Sequence, residues 1–134
     1  MALNVTATWR LIRSVDPLIR KSDAGRAIII SSGASYKARP FWGPYAASKA
    51  AVDMLGRTWA EELVSTPAKV TLVDPGATRT AMRAQAMPGE NPDTLPTAAE
   101  VAAAILPLAD ASNTENGRLF VVREKRFLSF QPPA

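Results

Sequence analysis

The chain has 134 residues, of which 47% are hydrophobic, enough for one ordinary domain with a modest core and too few for a second. It contains no cysteine and no histidine, which excludes disulfides, thiolate chemistry and the commonest general base and metal ligand. The net charge of +4 is spread without a basic run, and no apolar segment approaches the ~20 residues of a membrane span, so neither nucleic acid nor a membrane is an expected partner.

The opening MALNVTATWRL lacks the long apolar region and small-residue cleavage site of a secretory signal, and a cytoplasmic protein is expected. Over residues 5–20, Trp9, Leu11, Ile12, Val15, Leu18 and Ile19 recur at threes and fours, the pattern of an amphipathic helix. A loop at 22–25 leads into residues 26–33, a short β-branched run closed by small polar residues. That run reads as a strand buried on both faces of a parallel sheet.

Pro44 suits the first turn of a second helix, which runs to about residue 64 with Val52, Leu55, Trp59 and Leu63 as its apolar stripe. Residues 69–74 form another short apolar run, stopped by Pro75 and Gly76, so that strand, helix and strand make a right-handed crossover unit. Residues 77–96 are rich in Thr, Pro, Gly and Asn, with a helical turn or two around 79–86, and read as a mobile lid or substrate loop. Thr97 and Glu100 form a capping box ahead of a third helix that buries Val101, Ile105 and Leu108, and Asn116-Gly117 turns the chain into a last strand at 118–122.

This order predicts an α/β fold of about three strands and three to four helices in a single partial domain spanning 1–134. Three buried-type strands leave an apolar edge open, so an N-terminal half of the sheet is expected to be missing.

With histidine absent, any catalysis falls to tyrosine, lysine, serine or carboxylates. Tyr45 and Lys49 lie one helical turn apart on one face. A phenol titrates near ~10, but a neighbouring ammonium favours phenolate, so such a pair can act as a general acid/base. Alone, Tyr-x-x-x-Lys is much better explained by a helix-start aromatic and a solvated charge, since the pattern arises easily by chance. Ser32, thirteen residues earlier at a strand end, can converge on Tyr45 across a single strand-to-helix crossover.

Ser31-Ser32, the thirteen-residue step to Tyr45 and Lys49, the small residues at 46–48 and 50–51, Asp74-Pro75-Gly76 with Thr80, and Asn4 together resemble the motifs of the short-chain dehydrogenases/reductases. The resemblance covers nearly all of the chain, from that family's fourth helix onward, and implies a partial Rossmann-like, doubly wound parallel sheet. It implies that Tyr45 exchanges the proton at the substrate oxygen, that Lys49 assists it and binds the nicotinamide ribose, and that Ser32 polarises the substrate oxygen. Asn4 would fix a water relay to Lys49, while Pro75, Gly76, Thr78 and Thr80 would hold the carboxamide of NAD or NADP.

The implied reaction interconverts a small-molecule carbonyl and an alcohol, in a homodimer or homotetramer assembled through helices at about 4–20 and 44–64. Trp9, Leu11, Ile12, Leu55 and Trp59 are the residues expected at that interface, and Trp42, with Phe41, Met82 and Met87, in an apolar substrate pocket. Each residue also has a plainer role: Asn4 and Thr80 as helix caps, Ser32 as a strand-end hydrogen-bonding group. The glycines never form the glycine-rich phosphate turn of a dinucleotide fold, so the alternative to an enzyme is a non-catalytic fragment or oligomerisation module that keeps the assembly helices.

Overall fold

In the computed structural model, which describes residues 1–130, a π-helical turn (Ala2–Thr6) leads into α1 (Ala7–Lys21). Then follow β1 (Arg26–Ile30), α2 (Gly43–Glu62) and β2 (Lys69–Asp74), the expected crossover unit. The short helix α3 (Ala81–Ala86), α4 (Ala98–Ile105), β3 (Arg118–Val121) and β4 (Arg126–Leu128) complete the order.

The sheet has the order β1-β2-β3-β4; β1, β2 and β3 run parallel and β4 antiparallel to β3. The fourth strand is an addition to the expected three. It forms because Lys125 adopts a left-handed conformation (φ 51°) that reverses the chain after β3, bringing Phe127 opposite Phe120 with ring centroids 5.1 Å apart.

The core is centred on β2, where Val70, Leu72 and Val73 are wholly buried between two neighbouring strands. Ile12, Trp59, Ala60, Leu63 and Ala68 close around Val70 from the helical side. This corrects the expected interface set: Ile12 and Trp59 are 6% and 3% exposed, because they make the contact between α1 and α2 within one chain. Asp16 locks that contact, accepting from Trp59 Nε1 at 2.7 Å and from Arg20 Nε at 2.8 Å. Leu11, Val15 and Leu18 lie on the outer side of α1 and are exposed.

A second correction concerns β1. Its composition suits burial on both faces, yet none of its five residues is buried, and Ile30 is 47% exposed. The reason is that β1 pairs only with β2, and its other edge faces solvent.

The spacing of α2 from the sheet depends on Gly56, where a Cβ would lie 2.9 Å from Ile29 Cδ1 and from Leu72 Cδ2. The segment 77–96 is closed at its base, where Arg79 N donates to the Pro96 carbonyl at 2.9 Å, and clamped internally by the Arg83 guanidinium on both Glu90 oxygens at 2.6 and 2.7 Å. At its end Thr97 and Glu100 form the expected capping box on α4. Among the described residues no helix is long and apolar enough to cross a membrane.

Candidate functional site

The candidate residues gather at the C-terminal ends of β1 and β2, the side on which open α/β sheets place their ligands. Ser32 follows β1 in extended conformation and caps a 3-10 turn, Gly33–Ser35, its Oγ accepting from Ala34 N at 3.2 Å. That turn packs against α2. Pro44 sits in the first turn of α2, where its missing N–H costs nothing, and Tyr45 follows it directly. Tyr45 is half-buried, and its ring meets Trp42 edge to face at 5.7 Å.

One turn on, the Lys49 ammonium donates to the Ile30 carbonyl at the end of β1, at 3.0 Å. Burial pushes the Lys49 pKa down from its ordinary value, and the negative charge of Asp53 opposes that shift. Asn4, carried in the π-helical turn, reaches α2: its Nδ2 donates to Ser48 Oγ at 3.0 Å, and Ser48 Oγ donates to the Tyr45 carbonyl at 2.7 Å. The structure therefore brings Asn4 against α2, the helix that carries Tyr45 and Lys49, with Asn4 joined through Ser48 to the backbone of the Tyr45 turn and not to Lys49.

At the end of β2, Asp74 is buried and accepts from Gly76 N at 3.0 Å and from the Tyr36 hydroxyl at 2.7 Å. Burial and the bonded carboxylate together push the Tyr36 pKa up. Gly76 adopts φ 73° with open space where a side chain would stand, a conformation that suits glycine. Thr78 Oγ1 donates to the Gly76 carbonyl at 3.4 Å, and Thr80 Oγ1 caps α3 by accepting from Arg83 N at 3.1 Å. Phe41 and Met82, expected in a pocket, are 102% and 70% exposed, so neither is enclosed.

Two polar residues of the site, Ser35 and Asp53, belong to no motif in the sequence, and the contacts of Ser48 and Ser31 are not implied by the motifs that contain them. Ser48 links Asn4 to the Tyr45 turn, while Ser31, Ser35 and Asp53 form a cluster beneath α2. Asp53 alone carries a signal: it stands beside Val52 on the apolar side of α2, four residues after Lys49, where a solvated aspartate has no place.

The short chain dehydrogenase family matches residues 1–91 of this chain. An uncharacterised oxidoreductase of Escherichia coli, YciK, is 40% identical over 121 residues, covering 90% of this chain and 48% of its own length. A rat dehydrogenase/reductase, SDR family member 4, is 35% identical over 80 residues, or 60% of this chain and 29% of the relative. Among solved structures, a short chain dehydrogenase of Escherichia coli complexed with NADPH superposes with a TM-score of 0.84 at 40% identity, covering 90% of this chain and 50% of that one. The chain thus spans about half the length of these Escherichia coli relatives. With the family match extending over most of its residues and the sheet superposing on a solved member, the chain belongs to the short chain dehydrogenase family.

Proposed function

We propose that this chain carries the catalytic half of a nicotinamide-dependent oxidoreductase that interconverts a small-molecule carbonyl and an alcohol, with Tyr45 as its acid/base. The observation that carries the reading is the placement of Tyr45 and Lys49, one turn apart on α2, beside the ends of β1 and β2.

The donors present fit the nicotinamide end of NAD or NADP. The Lys49 ammonium has three protons and one acceptor, the Ile30 carbonyl, leaving donors for ribose hydroxyls. Thr80 Oγ1 accepts from Arg83 N and keeps its own proton to offer a carboxamide oxygen, and the open space at Gly76, in the turn that includes Pro75 and Thr78, is available to the ring. When bound, the reduced nicotinamide supplies hydride to the carbonyl carbon.

The residues of the site divide the remaining work. Tyr45 Oη donates its proton to the substrate oxygen on reduction and takes it back on oxidation. The Lys49 ammonium, one helical turn away, stabilises the negative charge that develops on the Tyr45 oxygen as the proton leaves. Ser32 Oγ already accepts from Ala34 N, so its own proton is free to bind the substrate oxygen as charge develops there. Asn4 spends its amide N–H on Ser48 and keeps its carbonyl oxygen to accept from a water leading to Lys49.

Segment 77–96, tied at its base and clamped by Arg83 and Glu90, serves as the lid of the single domain, and Trp42 borders the substrate. The exposed stripe Leu11, Val15, Leu18 supports assembly into a homodimer or homotetramer through α1 and α2. The cytoplasm is the proposed setting.

The test is oxidation of NADH and NADPH with a panel of ketones, by this chain alone and mixed with the remaining half of the Escherichia coli relative. Turnover that falls about 100-fold or more in Tyr45→Phe, with dinucleotide binding retained, is the expected outcome. A fully active Tyr45→Phe overturns the role given to Tyr45.

A further inference from the structure

Asp53 lies in the middle of α2, is 4% exposed, and has no hydrogen-bond partner at either carboxylate oxygen. The other buried carboxylate, Asp74, is by contrast satisfied by Tyr36 and Gly76. A carboxylate withdrawn from water without partners is costly unless an opposite charge compensates it.

The groups around it come from three elements. From the segment after β1, Ser31 and Ser35 face it and favour its charged form, although Ser31 Oγ also lies 3.3 Å from Ser35 Oγ and Ser35 Oγ donates to the Ser32 carbonyl at 2.8 Å. From β2 comes Asp74, a like charge, whose bonded Tyr36 has its proton committed. From its own helix comes Lys49, one turn earlier, the cation that acts on it. Tyr45, Lys49 and Asp53 thus stand at four-residue steps along α2, an order of phenol, ammonium and carboxylate.

Resting on the proposed role of Lys49 beside Tyr45, we propose that Asp53 is a positioning residue for the acid/base centre: its buried carboxylate is the counter-charge that holds the Lys49 ammonium at the end of β1, one turn from Tyr45. Burial alone works against a charged Lys49, and Asp53 works for it. Burial likewise works against a charged Asp53, and Ser31, Ser35 and then Lys49 work for it. Each charge makes the other tolerable in a place that suits neither alone.

The test reads the charges directly. In the full chain with its lysines carrying 13C-methyl labels, Lys49 in Asp53→Asn should titrate about 1 unit lower than in the parent protein. Asp53→Glu, which keeps the charge, should restore most of that shift. An unchanged Lys49 titration in Asp53→Asn overturns the proposal. If Asp53→Asn does not fold, the carboxyl 13C signal of Asp53 in the unsubstituted chain decides: it should be ionised at neutral pH, and a protonated Asp53 overturns the pairing. Neither readout needs turnover, so an inactive chain counts against the oxidoreductase reading and leaves the charge pairing to stand or fall separately.

Discussion

Asp16 shows how one side chain can hold two elements in register. Its two oxygens accept from Trp59 Nε1 and Arg20 Nε, and both bonds, with the Arg20 charge, hold its pKa below the ordinary carboxylate value. Replacing it with alanine strands a buried indole N–H, and Asp16→Ala should destabilise the fold by about 1–3 kcal/mol in urea titrations followed by far-UV circular dichroism. A carboxylate with a depressed folded pKa contributes stability that is fully present above its unfolded value, near 3.8, and is lost as pH falls through the folded value. Asp16→Asn, which keeps an acceptor for the indole but cannot ionise, should therefore flatten the fall in stability below about pH 4 while costing less at neutral pH. A steeper acid limb in Asp16→Asn would contradict this account.

α2 carries the proposed chemistry, so its distance from the sheet sets the geometry of the site. Gly56 fixes that distance, since a methyl group there would meet Ile29 Cδ1 and Leu72 Cδ2 at 2.9 Å. Gly56→Ala gains helix propensity of about 1 kcal/mol but must displace two packed side chains. The displacement should win, with a net loss of about 1–2 kcal/mol and a changed Lys49 environment in the same spectra; a more stable variant would show that the interface has slack. The elements themselves were largely legible in the sequence: α2 starts at its proline, α4 at its capping box, and β2 ends at Pro75-Gly76. β4 was not, because three residues after a left-handed lysine carry no period to read. Asp16 was missed because by helical period an aspartate reads as solvated, and only the fold turns it toward an indole; Asp53 was missed although its place beside Val52 signalled burial, because its neighbours come from segments remote in sequence. The site motifs were legible because their chemistry dictates residue types at fixed spacings. The hydroxyl network through Ser48 was not, since serines of this kind occur in any small-residue helix face.

At the scale of the whole molecule, two apolar surfaces have no partner within the described residues, and each would set a different mode of association. One is the free edge of β1, whose composition suits burial although the strand has a single neighbour and Ile30 is 47% exposed. An open apolar edge offers unpaired backbone groups to any other strand and favours ill-defined aggregation. The other is the stripe on α1, where Leu11 and Leu18 are 64% and 70% exposed and which can pair with a second copy in only a few ways. The two surfaces predict different behaviour on dilution: an edge grows without limit, while a helix face closes into a defined oligomer. A lysine is the common natural device for blunting an edge, and Ile30→Lys should suppress concentration-dependent turbidity while leaving the proposed helix-mediated oligomer unchanged when read by light scattering. Leu18→Glu should do the reverse, converting the oligomer to monomer with turbidity unaffected. Because the Lys49 bond is to the Ile30 backbone carbonyl, the Ile30 side chain can be exchanged without removing that acceptor. If Ile30→Lys dissolved the defined oligomer and Leu18→Glu did not, the chain would associate through its sheet, and assembly through α1 and α2 would be wrong.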